Sequence, residues 1–347
     1  MGRGDCVVFD LQKKFDAALK DTVKEWKGHD KVKGIFVYGS FVKGTLTATS
    51  DLDLGVIWDD PEPPAQLFQE HKGIRIDISF LTPKVIEDVF EGKTSDALRI
   101  AGLIGILRNA KVVHDTKGKL KKWQKRAADF VWSEEAIDSM KDEALLSLNN
   151  ASKSAELGDT ISAIHELRSG LFDLGRVIVM KNNYFSIMKP SEVLTEIRLL
   201  DPVSYPLFLR TFKLKGMEEE DLMDTLEEVR GWIEIAEGRF SEGTVDDYAM
   251  ELLTRAQREY HGARNCTLSG DYELAVLEMR RAVDNIGRAL LALTGHFEVD
   301  QTNFVQALKE NEPVFYENIL VQHGAFDFTD KGIERGISEA HFIAQRL

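Results

Sequence analysis

Cysteine is nearly missing from this chain: two residues in 347, Cys6 and Cys266, cannot build a disulfide framework. No C-x-x-C or H-E-x-x-H spacing points to structural zinc. Long apolar runs are missing as well. The longest, around Ala97 to Leu107, is interrupted by Arg99 and is too short to span a bilayer. The opening segment MGRGDCVVFD carries Asp5 and Asp10 and has no apolar signal core, so no membrane association and a cytoplasmic location are expected. Positive charge is in short supply: 44 Lys and Arg face 58 Asp and Glu, a net charge of −14. That balance disfavours a surface built throughout to hold nucleic acid and leaves room only for a local basic patch. What the chain does have is enough hydrophobic material, 43%, to bury cores, and a length that suggests two to three domains.

Periodicity divides the chain into two parts. Leu11, Phe15, Ala18, Leu19 and Val23 recur at helical spacing and predict a helix from about Phe9 to Trp26. The run Gly34-Ile35-Phe36-Val37-Tyr38 reads as a buried strand that stops at Gly39-Ser40, and Asp51 to Trp58 reads as a second. After the turn-rich connector DDPEPPAQ, residues Ile74 to Phe80 alternate strictly, with Arg75, Asp77 and Ser79 on the polar face. Helices at about Pro83 to Glu91 and Ser95 to Asn109 complete an α/β module. The stretch Lys111 to Arg126, with seven basic residues against one acid, reads as a solvated helix leading out of the domain; a phosphate-contacting patch is the alternative. Beyond about Phe130 the pattern is helical throughout.

The helical part carries an internal duplication. Residues 151–185 align with 263–297 at nine of 35 positions, including Gly158/Gly270, Asp159/Asp271, Glu166/Glu278, Arg168/Arg280, Gly175/Gly287, Arg176/Arg288 and Phe185/Phe297. Three domains are therefore expected: 1–130, 131–243 and 244–347. In each copy the Gly-Asp pair is expected to end one helix in a left-handed turn and cap the next. Glycine inside a helix costs near 1 kcal/mol relative to alanine, and close helix packing would account for Gly175 and Gly287. Glu166/Arg168 and Glu278/Arg280 read either as inter-helix or surface ion pairs or as the lining of a ligand groove.

The chemistry-bearing stretch is Gly34 to Trp58. Gly39-Ser40 sits at a strand end, and Asp51 and Asp53 follow after ten intervening residues. Residues two apart on a strand share a face, so the two carboxylates stand together while Leu52 and Leu54 face the other way. Like charges so placed repel unless a cation binds. Pairing the third strand beside the second would add Asp77, and three hard oxygen donors suit Mg2+. Two such ions can clamp the attacking and leaving oxygens of a phosphoryl displacement, with Asp77 near the attacking hydroxyl. Gly39 would let backbone N–H groups approach a triphosphate, Ser40 adds a hydroxyl, and Lys43 reads either as a phosphate-neutralising cation or as a solvated side chain. A hairpin turn followed by an acidic edge strand is the structural alternative.

The pattern G-S, ten residues, D-x-D, then a third Asp on a neighbouring strand resembles the DNA polymerase β nucleotidyltransferase superfamily, especially its minimal and aminoglycoside-nucleotidyltransferase-like branches. Tyr38, Lys43-Gly44-Thr45, Ser50 and the run Ala110 to Gly118 are also similar to that family, and the resemblance covers about residues 10 to 128. It implies an α+β fold: a nucleotidyltransferase domain with a small mixed β-sheet, followed by an all-α region of two related helical bundles. It also implies an Mg2+-dependent enzyme, with two ions, that takes NMP from an NTP, ATP foremost, and places it on a hydroxyl with release of pyrophosphate. Gly39, Ser40 and Lys43 are then the nucleotide-binding residues, and Asp51, Asp53 and Asp77 the metal and catalytic carboxylates. The hydroxyl acceptor, a small molecule or a protein, is not set by this module, and a homodimer is left open.

The repeats loosely resemble HEPN-type helical domains, and Arg335 with His341 meets the Arg-to-His spacing of that family's ribonucleases. The reading of His341 as an ordinary helix residue is preferred, because the first copy has no equivalent histidine. The second function class is a regulatory or antitoxin-like nucleotide-binding protein. The remaining histidines form no local metal or triad spacing.

Overall fold

Apolar alternation along the N-terminal third becomes a sheet. The computed structural model describes residues 3–44, 46, 50–64, 67–242, 247–295 and 304–347. Thr45, His296, Phe297 and the expected boundary at 243/244 lie outside the described residues. The chain divides into two compact units, Met1–Ala136 and Ile137–Leu347. No helix among the described residues is long and apolar enough to cross a membrane.

The first unit runs α1 (Arg3–Trp26), β1 (Val32–Tyr38), α2 (Ser40–Lys43), β2 (Leu52–Trp58), β3 (Leu67–His71), β4 (Ile74–Leu81), α3 (Pro83–Phe90), α4 (Ala97–Asn109), β5 (Lys111–Asp115) and α5 (Lys119–Ala128). The strands form one sheet in the order β3-β4-β2-β1-β5. β2 and β4 run parallel while the other neighbours are antiparallel, so the sheet is small and mixed as expected. Phe15, Ala18 and Leu19 of α1 join Ile35, Val37, Leu52, Leu54, Val56, Ile76 and Ile78 in one buried cluster on one face. The opposite face carries the intervening residues. There a Cβ on Gly55 would lie 2.0 Å from the Phe36 ring, and one on Gly34 would lie 3.3 Å from Leu120 of α5.

Two strands escaped the pattern reading. β3 joins β4 through Lys72 and Gly73, both at positive φ (54° and 78°), the two-residue turn whose twist suits a hairpin. β5 occupies the start of the basic stretch expected to be helical; a five-residue edge strand is too short to show a period, and its pairing with β1 decides its conformation. Of the basic residues that follow, Lys117 lies in the connecting turn and the rest on α5, and all face solvent.

The second unit is all helical, and α6 (Glu134–Glu156) leads into it. It continues with α7 (Thr160–Lys181), α8 (Pro190–Leu200), α9 (Tyr205–Thr211), α10 (Glu219–Glu242), α11 (Asp247–Ser269) and α12 (Tyr272–Leu293). α13 (Phe304–Asn311), α14 (Pro313–Phe315), a π-helical turn (Tyr316–Val321), α15 (Gln322–Gly324) and α16 (Asp330–Arg346) close the chain. Positions paired by the sequence repeat adopt like conformations: φ is 75° at Gly158 and 80° at Gly270. Asp159 caps α7 by accepting from Ser162 N–H at 3.1 Å, whereas Asp271 stands at the cap of α12 with no side-chain capping bond. A Cβ on Gly175 would lie 2.6 Å from Ile197, and one on Gly287 3.0 Å from Leu308 and Phe315, so both glycines sit at close helix contacts.

Glu166 does not pair with Arg168, nor Glu278 with Arg280; Glu166 lies 3.9 Å from Nδ1 of His165. Arg168 donates instead to the carbonyls of Thr211, Gly324 and Ala325 at 2.9, 2.5 and 3.0 Å. Glu278 accepts from Ser191 N–H in the first turn of α8 at 2.9 Å. Residues of both repeats thus meet in one interior. Burying a lone charge is costly, and backbone carbonyls at helix ends offer ready acceptors for a guanidinium. Arg335 pairs with Glu339 on the surface of α16 at 2.7 Å.

Candidate active site

The sheet places the acidic residues by register. Tyr38 on β1 is the partner of Asp53 on β2, and Asp53 is the partner of Asp77 on β4. Paired positions on neighbouring strands, about 4.8 Å apart, carry side chains on the same face, so these three form one row. Asp51 precedes β2 and falls in the next row, where the Nε of Arg75 comes within 3.4 Å of its Oδ1. That oxygen is buried and, the ion-pair contact aside, accepts no hydrogen bond. Tyr38 and Ser79 extend the polar face, their hydroxyl oxygens 3.4 Å apart.

Between β1 and α2 the chain turns at Gly39, with φ 74° and ψ −151°, a region essentially restricted to glycine. A Cβ there would stand 1.9 Å from Oδ2 of Asp53, so the turn backbone is pressed against that carboxylate. Ser40 opens α2 and is half-buried; Lys43, its last residue, is exposed. Gly44 ends α2 in the left-handed region, its N–H donating to the Ser40 carbonyl.

The structure therefore brings Asp53, Asp77 and Gly39 together, sets Asp51 beside them, and leaves Lys43 in solvent. Among the described residues no group of three or more His, Cys, Asp or Glu side chains is gathered closely enough to hold a metal ion. Asp51 faces Arg75 instead of closing on the other two carboxylates. Arg75 was not read as part of the site. The signal was present: it lies two residues before Asp77 on one strand face, and once Asp77 is registered with Asp53, Arg75 falls beside Asp51.

The first unit is thus a small mixed sheet with carboxylates on adjacent parallel strands and a glycine turn against one of them. Residues 18–113 match the family model described as "Nucleotidyltransferase domain", and the first unit carries a domain of that family. Among solved structures, a nucleotidyltransferase-like protein from Exiguobacterium sibiricum 255-15 is similar over 89% of this chain and 91% of its own length, at 15% identity and a TM-score of 0.41. No curated protein matches.

Proposed function

We propose that the chain is an Mg2+-dependent nucleotidyltransferase that moves NMP from an NTP, ATP foremost, to a hydroxyl of a small molecule or protein and releases pyrophosphate. The observation that supports this reading is the row formed by Asp53 and Asp77 on parallel strands with the Gly39 turn against the Asp53 carboxylate. Asp53 and Asp77 offer hard oxygen donors of the kind a divalent cation takes, and Asp51 beside them has a buried oxygen that, its contact with Arg75 aside, accepts no hydrogen bond. Asp51, Asp53 and Asp77 would hold it. Bound there, the cation supplies charge neutralisation for the triphosphate and the leaving pyrophosphate.

The chain's own groups do the rest. The Gly39-Ser40 turn presents backbone N–H and a hydroxyl to the phosphates, with Lys43 a further cation at its rim. Asp77 takes the proton of the acceptor hydroxyl as its oxygen bonds to the α-phosphorus and the bond to the β-phosphate oxygen breaks. Arg75 holds Asp51 at 3.4 Å and would have to release it for Asp51 to serve as a ligand.

Incubation with each of four NTPs and Mg2+, read by pyrophosphate release and by self-labelling from α-labelled nucleotide, tests the proposal. Turnover that disappears in Asp51→Ala and Asp53→Ala is the expected result. Nucleotide binding without turnover, with every candidate acceptor, overturns it in favour of the regulatory class.

A further inference from the structure

The second unit contains a solvent-connected pocket between α7, α12 and the segment from Ile319 to Phe326. Its polar wall is formed by Arg168, Arg280, Arg281, His165, His323 and Asp284. Three guanidinium groups thus face one carboxylate. Asp284 is already shared, its Oδ1 3.5 Å from His165 Nε2 and its Oδ2 3.6 Å from Arg281 Nη1. His323 is held by Glu228 at 2.9 Å.

The donors in this wall are poorly satisfied. Arg168 is fixed by three backbone carbonyls and lies in the field of Asp284 and Asp327. Arg280 reaches only the carbonyls of His323 and Lys213, each at 3.5 Å. Nε of Arg281 is buried with no hydrogen bond, whereas the ring nitrogens of His165, a residue 6% exposed, face Asp284 at 3.5 Å and Glu166 at 3.9 Å. Each unmade bond at a buried donor costs about 1–3 kcal/mol, more at a charged group, so several in one cavity mark a place where acceptors belong. Burial pushes the Arg280 guanidinium down to about 10, and Arg280 in turn opposes the charge of Arg168. Arg281 aligns with Ser169 of the other repeat, so the extra cation belongs to one side of an otherwise paired arrangement.

We propose that this pocket binds a small organic phosphate monoester, its dianionic head against Arg280 and Arg281 and its body on Leu277, Ile319 and Phe326. Among the described residues Arg280 pairs with no carboxylate, and guanidinium groups take phosphate oxygens in paired hydrogen bonds. The site lies wholly within Ile137–Leu347 and does not depend on the reading of the first unit.

Calorimetric titration of the full chain in EDTA with AMP, ribose 5-phosphate and inorganic phosphate tests it. One site is expected, with at least one of the organic phosphates binding tenfold or more tighter than inorganic phosphate. Arg280→Met and the pocket-filling Ser169→Phe are each expected to weaken that binding at least tenfold, and Asp53→Asn to leave it unchanged. Absence of saturation by both organic phosphates at 5 mM, equal affinity for inorganic phosphate, or indifference to Ser169→Phe overturns the proposal. Loss of binding in Asp53→Asn overturns it too, by placing the ligand in the first unit. Should Arg280→Met fail to melt cooperatively, Ser169→Phe alone decides.

Discussion

The Asp53 carboxylate lies against the backbone of Gly39, so close that a Cβ at position 39 would stand 1.9 Å from its Oδ2. Gly39→Ala therefore meets both a steric block and a backbone conformation that alanine adopts at a cost of about 1–3 kcal/mol. The expected outcome is loss of pyrophosphate release by at least 100-fold with a smaller fall in stability. A melting curve and an NTP turnover assay on the same preparation check it.

Arg75 and Asp51 form an exposed ion pair that a cation must displace. Pairs of this kind contribute roughly 0.2–1 kcal/mol, which corresponds to about 1.4- to 5-fold in a binding constant. Arg75→Met is expected to lower the Mg2+ concentration for half-maximal turnover by that factor while leaving the maximal rate near wild type. Titration of turnover against Mg2+ measures it; an increase in the Mg2+ requirement would assign Arg75 a direct part in the reaction.

Gly170 lies on α7 where a Cβ would stand 2.7 Å from the Ala144 carbonyl and 2.9 Å from Leu148, both on α6. Alanine there gains about 1 kcal/mol of helix propensity but must move a neighbouring backbone. Overpacking of this kind costs about 1–3 kcal/mol, so Gly170→Ala is expected to lower the urea midpoint of the second unit. An unchanged or raised midpoint would show that α6 and α7 separate at little cost.

Burial pushes the Glu259 carboxyl up to about 7, against Arg281 and the Asn285 amide, which donates to it at 2.6 Å and favours the charged form. The folded state therefore holds this proton more tightly than the unfolded chain does. The stability so gained is complete below the ordinary value near 4.5 and is lost as pH rises through about 7. Glu259→Gln is expected to flatten the fall in stability between pH 5 and 8 by about 2 kcal/mol, read from urea unfolding at both pH values. A slope equal to wild type would mean that the carboxylate is solvated in the fold.

Much of the candidate site is legible in the sequence. Alternation along 52–58 and 74–81 determines which residues share a face, and a glycine before a serine at a strand end announces a turn. The edge strands β3 and β5 were harder, because five residues carry too little period to outweigh local composition; only the Lys72-Gly73 turn hinted at the first. In the helical unit, Glu166/Arg168 and Glu278/Arg280 were visible as repeated positions, yet their partners were not, since backbone carbonyls leave no trace in a pattern of side chains.

The sequence alone determined that Asp53 faces away from Leu52 and Leu54, that Asp77 occupies the polar face of its own strand, and that Gly175 and Gly287 repeat at equivalent places. These follow from the two-residue and 3.6-residue periods of the backbone, which act over a few neighbours. Only the tertiary structure decided that Asp77 is registered with Asp53, that Arg75 falls on Asp51, and that Arg168 and Arg280 line one pocket. Those are meetings of residues distant in the chain, and strand register and helix packing select them by burying apolar faces whose partners no local period specifies.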